Sequence, residues 1–428
     1  MTLCIRNAAQ LVTVAQSGER VKRGAALRNA GVIENGALVI EGERITWVGR
    51  TSELPGLPRD AQVLDATGKV VLPGFIDSHT HLIFAGLRVD EFEQRLLGRT
   101  YQEIAAGGGG IQATVRLVRQ ATRHELKQLA RRRLGRFLEF GVTTVEIKSG
   151  YGLSVADEIK SLEVIAELNA EGPLELVPTF LGAHAVPAEF RNDREGYLHL
   201  LLDEMLPEVA RRGLAEFCDV FCETGVFSLQ ESRRILRRAS ELGLRPKLHA
   251  DELTPLGGAE LAAELRAVSA DHLLCVSEAG ISALAEAGVV ATLLPGTAFF
   301  LGLAYAPARK LIDGGAVVAL ASDCNPGTCP TENLPLIGAM ACAQMKMLPA
   351  ETITALTLHA AAALGRADRL GSLEPGKQAD VIMCDIPDYR LLFYHFGVNH
   401  VERVVKRGRV VHVAGAGTAA GAIGCGEG

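Results

Sequence analysis

Eight short apolar, β-branched runs alternate with helical stretches through the middle of the chain. This alternation limits the fold more than any other feature of the sequence. The runs are GFIDSHTHL (74–82), GVTTVEIKS (141–149), LELVPTFLGAH (174–184), CDVFCE (218–223), RPKLHAD (245–251), SADHL (269–273), VVATLLP (289–295) and AVVALASDC (316–324). Helical patterns such as SVADEIKSLEVIAELNA (154–170) and LQESRRILRRASELG (229–243) separate most of them. A helix between consecutive strands carries the chain back along the sheet, so the strands run parallel. Eight such units suggest an α/β fold of the (β/α)8, TIM-like barrel type, with the helices outside.

The two ends read differently. GALVIEGERITWVG (36–49) alternates around a Gly-Glu turn, and VLDATGKVVLPG (63–74) sets Thr-Gly between two apolar runs. Both are hairpin signals. The same texture returns in ADVIMCDI (379–386) and VERVVKRGRVVHV (401–413). The expectation is a composite β-sandwich domain from 1–70 plus 370–415, and a barrel over 71–369. The Gly/Ala-rich end, 416–428, is expected to lack packed structure.

Charge and cysteine content exclude some functions. A net charge of −6 with no basic face argues against a nucleic-acid partner. The densest basic cluster, RRRLGR (131–136), reads as a solvated helix face. There is no leader-like apolar start and no 18-residue apolar run, so no membrane is expected. Nine scattered cysteines point to free thiols and a reducing, cytoplasmic setting. Cys218 and Cys222 have clip-like spacing but no second pair, and read as apolar filler of a strand.

Ionisable residues gather at the C-terminal ends of the eight runs: His79 and His81, Lys148, His184, Glu223, His249, His272 and Asp323. In a barrel these ends converge on one mouth. Alternate strand residues share a face, so His79 and His81 point inward with Thr80 turned away. Two imidazoles make half of a zinc-like site, and His249 with Asp323 can complete it. A hydrogen-bonded strand end is the alternative for His-x-His alone. An ion held there would lower the pKa of a bound water toward neutrality. Asp323 can also accept that water's proton, and His272 can orient the water or deprotonate it. Glu252 can protonate a leaving nitrogen or bind a substrate N–H; a favourable helix N-terminal carboxylate is its other reading. Lys148 raises the possibility of a carboxylated, two-metal site. The ligand count favours one ion, with Lys148 structural or behind the ligands. The Gly107–Gly110 run lacks a following Gly-Lys-Ser/Thr, so a loop over the mouth is expected rather than a phosphate loop.

His-x-His followed by His, His and Asp, with PGFIDSHTHL and GSLEPGKQADVIMCD (371–385), resembles the metal-dependent amidohydrolase superfamily. Further stretches resemble one branch of it, the imidazolonepropionases. They are HLIFAGLRVDEFEQRLLGRTYQEIAAGGGGI (81–111), VEIKSGYGL (145–153), PTFLGAHAVPAEF (178–190), KLHADEL (247–253) and LASDCNPGT (320–328). The resemblance implies hydrolysis of the cyclic amide of 4-imidazolone-5-propanoate to N-formimidoyl-L-glutamate, in histidine degradation. It implies one divalent or trivalent metal ion per chain, zinc first and iron second, held by His79, His81, His249 and Asp323. It implies substrate contacts from Arg88, Tyr151, His184, Glu252, Asn325, Gly327 and Thr328, help to the water from His272, and a homodimer. Cys329 departs from the small hydroxyl residue expected before Pro330. The competing readings are a one-metal deaminase of cytosine or guanine, and a metal-free scaffold.

Overall fold

The computed structural model describes residues 2–15, 19–100, 103–104 and 107–415, so the expectation for 416–428 lies outside the described residues. The chain begins in an eight-stranded sheet: β1 (Thr2–Val12), β2 (Val32–Glu41), β3 (Arg44–Arg50), β4 (Gln62–Asp65) and β5 (Val70–Pro73). Gly42, at φ 60°, supplies the left-handed residue that the two-residue β2–β3 turn requires. The chain then makes eight parallel strands: β6 (Phe75–Asp77), β7 (Val142–Lys148), β8 (Glu175–Ala183), β9 (Phe217–Cys222), β10 (Arg245–Ala250), β11 (Ser269–His272), β12 (Val290–Leu293) and β13 (Val317–Leu320). It returns to the first sheet through β14 (Val381–Cys384), β15 (Val401–Lys406) and β16 (Arg409–Val413).

The first sheet runs β16-β15-β14-β5-β1-β2-β3, so the two chain ends meet where β5 and β14 pair antiparallel. Ile45 N–H donates to the Lys377 carbonyl (2.9 Å) and Ala379 N–H to that of Glu43 (2.8 Å), which brings β3 back toward β14. The sheet encloses its own core of Leu3, Ile5, Leu11, Leu38, Ile40, Val71, Val381 and Val405. The second sheet is an (β/α)8 barrel whose strands pair in sequence order. Cys218 and Cys222 are buried, and the eight described cysteines are all free.

Two local details differ from the sequence expectation. The first barrel strand stops at Asp77, well short of its apolar run. The Asp77 carboxylate accepts the N–H groups of His79 (3.4 Å) and Ser322 (3.1 Å), interrupting the ladder. Pairing resumes at Thr80, which bridges to Cys324 and closes the barrel. The second concerns RRRLGR, in the helix Arg123–Glu139. Arg131, Arg132 and Arg136 are exposed as a solvated face would be, but Arg133 is buried. It donates to the carbonyls of Leu82 and Phe84 (both 3.0 Å) and lies over the Phe84 ring, holding the loop that follows His81.

Glu175, at the start of β8, ties the barrel to the terminal sheet. It accepts from Arg366 Nε (2.8 Å) and Arg369, and lies 3.8 Å from Lys406 of β15. Burial works against its charge, but Arg369, Lys406 and Arg366 outweigh it and hold the carboxyl at about 2. A depressed carboxyl stabilises the fold above its ordinary pKa and loses that contribution as pH falls through the folded value. We expect Glu175→Gln to cost about 3 kcal/mol at neutral pH. The gap to wild type should close between pH 4.5 and about 2. Urea unfolding of both proteins across that range measures it; a gap independent of pH would assign the loss to packing.

Candidate metal centre and active site

The barrel seam is also where the histidines meet. Asp323 N–H donates to the His79 carbonyl and His81 N–H to that of Cys324, both at 3.0 Å. These bonds fix the first and eighth strand ends side by side. His79, His81 and Asp323 therefore project from one seam, and His249 reaches them from the end of β10. All four are buried.

The ring nitrogens have a consistent orientation. His79 Nδ1 lies 2.6 Å from Asp271 and His249 Nδ1 3.1 Å from Asp219. A carboxylate at Nδ1 selects the tautomer with the proton there, leaving Nε2 as a lone pair. His81 Nε2 lies 3.3 Å from Nε2 of His79 and 3.3 Å from Nε2 of His249. Asp323 Oδ1 is 3.5 Å and 3.4 Å from Nε2 of His79 and His81. Lone pairs facing one another in a dry site need a shared cation. Metal bonds of ~2.0–2.1 Å meeting tetrahedrally put ligand atoms roughly 3.3–3.4 Å apart. The donor set therefore fits one ion. His272 forms an overlapping trio with His79 and Asp323, whose ligand atoms lie within 4.8 Å of one another.

Electrostatics suits neutral imidazole ligands. Burial, then neighbouring cationic groups, holds His79, His81 and His272 far below the ordinary histidine range. His249 is the exception: burial opposes its charge, but Asp219 raises its pKa, so an ion binding there displaces a proton. Burial lifts Asp323 to about 6 against the Thr297 hydroxyl, which donates to Oδ2 at 2.6 Å. Burial and the nearby Asp323 carboxylate lift Glu252 to about 8. Its Oε2 lies 3.6 Å from His272 Nε2. His272 and Asp323 hold left-handed backbones, at φ 77° and 56°. Such non-glycine strain is sustained only where surrounding contacts impose it.

The residues named for substrate line the same mouth. His184 Nδ1 donates to the Gly150 carbonyl (2.9 Å), and its ring stacks on His81. The Tyr151 ring is tilted against both, with centroids 5.9 Å from His81 and 5.2 Å from His184. Asn325 spends its amide within its own loop. Nδ2 donates to the Asp323 carbonyl and Thr328 Oγ1, and Oδ1 accepts from the N–H groups of Gly327 and Thr328. Cys329 is buried behind that loop, where a Cβ on Gly296 would come within 2.4 Å of its sulfur. Gly110 N–H donates to Glu91 (2.9 Å), which anchors one end of the Gly107–Gly110 run beside Arg88.

Arg88 stands apart. Its side chain is only 6% exposed, yet Nε and Nη1 have no hydrogen-bond partner. The nearest carboxylate, Glu91, is 3.8 Å away. The guanidinium packs against Gly327, where an added Cβ would fall 1.4 Å from Nη2. A buried cation with unused donors fits an anion brought by a ligand.

Sequence reasoning missed four residues: Asp219, Asp271, Glu146 and Thr297. For the carboxylates a signal existed. Each is a lone acid within a buried apolar strand, which demands a partner. Thr297 left no such trace; it comes from the helix Pro295–Leu301 that follows β12.

Residues 62–109 and 94–412 match the amidohydrolase family. The imidazolonepropionase of Geobacillus kaustophilus (strain HTA426) is 52% identical over 413 residues, covering 96% of this chain and 97% of that protein. That of Porphyromonas gingivalis (strain ATCC BAA-308 / W83) is 51% identical over 415 residues, covering 96% and 98%. Among solved structures, the zinc complex of atrazine chlorohydrolase TrzN from Arthrobacter aurescens TC1 superposes with a TM-score of 0.68. It has 18% identity and covers 95% of this chain and 94% of that one, a likeness of fold alone. Near-complete alignment at about half identity is a statement about the whole chain, and by it the chain belongs to the imidazolonepropionases of the amidohydrolase family.

Proposed function

We propose that this chain is a metal-dependent hydrolase that opens the ring of 4-imidazolone-5-propanoate with water to give N-formimidoyl-L-glutamate, the third step of histidine degradation. The observation that carries the reading is the full-length likeness to imidazolonepropionases. His79, His81, His249 and Asp323 would hold one ion. Zinc is the first choice for three imidazoles and a carboxylate, and iron the second. When bound, the ion supplies an acidified water and polarises the ring carbonyl.

The protein's own groups do the rest. Arg88 takes the propanoate arm through its unused Nε and Nη1 donors, and Gly327 leaves room for that guanidinium. Tyr151, His184 and the Asn325–Thr328 loop border the ring. His184 Nε2, with its proton on Nδ1, accepts a ring N–H. Asp323 Oδ1 receives the proton of the attacking water while Thr297 occupies Oδ2. Glu252, lifted to about 8, carries a proton at neutral pH. It delivers that proton to the ring nitrogen as the C–N bond breaks, with His272 beside it. The proposal includes a cytoplasmic homodimer with no nucleic-acid partner. Among the described residues no helix is long and apolar enough to cross a membrane.

A deaminase of cytosine or guanine would use the same ion and water, but these bases offer no carboxylate to Arg88. The test pairs metal content with loss of imidazolone absorbance on freshly made substrate. About one ion per chain with loss well above the spontaneous rate is expected. One ion with no loss, and ammonia from a nucleobase, would transfer the site to the deaminase. Full activity without bound metal would overturn the mechanism.

A further inference from the structure

Directly beneath the histidines the barrel interior holds charged side chains where apolar packing is usual. Lys148, at the end of β7, is fully buried. Its Nζ lies 2.8 Å from Glu146, 2.8 Å from Asp219 and 3.7 Å from Asp271. Burial alone would lower its pKa, but Asp219, Glu146 and Asp271 together raise it, so it stays charged. Each of these acids leads to the ligands. Asp271 meets His79 Nδ1, and Asp219 meets both Nδ1 and the backbone N–H of His249. Glu146 accepts the N–H of Thr80, between His79 and His81, at 3.2 Å. Lys148 N–H itself donates to the Thr80 carbonyl (2.9 Å).

Among the described residues no other lysine or arginine pairs with Asp219 or Asp271. Lys247, the other lysine in this layer, is turned to the carbonyls of Ser78 and Ala363. Asp271 Oδ1 has no hydrogen-bond partner, and among the described residues only His79 and Lys148 bring a basic nitrogen within 4 Å of that buried carboxylate. Without the ammonium, Asp219 and Asp271 would lose the lysine that lies within 4 Å of both, and each would be free to rotate away from its histidine.

We propose that Lys148 is a positioning residue for the metal centre: through Asp271 and Asp219 it keeps the proton of His79 and of His249 on Nδ1, and through Glu146 it holds the backbone between His79 and His81, so that three Nε2 lone pairs face one point. This rests on the one-ion reading above, but the orientation of the imidazoles can be measured without any ion.

The test is ¹⁵N-histidine NMR of the metal-free full chain, assigned with His79→Gln and His249→Gln, followed by zinc titration against a competing chelator. In wild type both imidazoles should be protonated on Nδ1. Lys148→Met should mix the tautomers and weaken zinc about 10- to 100-fold, the usual effect of losing a group behind the ligands. Should Lys148→Met fail to fold, Asp271→Asn removes the charge and keeps an oxygen for His79; its zinc affinity should fall similarly. Where both variants fold, the double variant should lose less than the product of the two single losses. A bare Nδ1 with the proton on Nε2, at either histidine in wild type, would overturn the proposal. So would a folded Lys148→Met with wild-type tautomers and zinc affinity. Failure of wild type to bind zinc or iron would overturn the metal reading instead, and the tautomers would still decide the role of Lys148.

Discussion

His249→Ala yields a folded protein with no bound ion and no measurable ring opening. In the proposed ligand set this side chain is the one member that does not come from the seam, and its Nε2 sits 3.3 Å from that of His81. Losing a single well-placed electrostatic group at an acyl-transfer site costs roughly 10²- to 10³-fold in kcat. Losing the ion removes both the acidified water and the polarised carbonyl, so a drop beyond about 10³-fold is expected. Metal analysis and turnover on the same sample check it. A variant that keeps its ion and loses only a few-fold in rate would remove His249 from the ligand set.

Arg88→Met comes second in size, and its effect is of a different kind. It leaves the histidines alone and removes the cation for the propanoate arm. Truncating one partner of a buried charge pair costs about 2–5 kcal/mol. That predicts a fall in kcat/KM of roughly 30- to 4,000-fold, with metal content unchanged. Gly327→Ala should reproduce part of the loss by steric means, since its Cβ would displace the same guanidinium. Steady-state kinetics with the natural substrate, and with an analogue lacking the carboxylate, separates the two causes. The analogue should discriminate poorly between wild type and Arg88→Met. An equal loss on both substrates would place Arg88 in the framework of the loop, not at the propanoate.

The barrel could be read from sequence because its signal is repetitive. Eight apolar runs separated by helical periods leave little choice of topology. His79, His81, His249 and Asp323 could be selected because strand ends of a barrel share a mouth, and the structure does bring these four side chains together. Other features depend on register, which periodicity does not encode. Asp219 meets His249 because β9 pairs with β10 with Phe221 opposite His249. Asp271 meets His79 across the barrel, 192 residues away in the chain. The halt of the first strand at Asp77 was hidden because the apolar run continues past the point where a carboxylate captures the backbone. Arg88 could not be read at all from its neighbours. Asp90 and Glu91 sit close in sequence and suggest a surface pair, whereas the fold buries the guanidinium and leaves two of its donors unused. The resemblance to a family supplied what local chemistry could not.

Closing the cylinder at Thr80 and Cys324 joins segments separated by most of the barrel's length, with His79, His81 and Asp323 on either side of the join. With the proposed ligands drawn from both lips, a bound ion would act as a rivet across the loop that spans the barrel. Contacts so distant in sequence are the ones whose formation carries the largest entropic cost. The hoop and the catalyst therefore share their hardware. Ion binding adds to stability by mass action, and a chelator acts on the tightness of the whole barrel as well as on its chemistry. The enzyme cannot loosen its reactive geometry without also starting to open its wall.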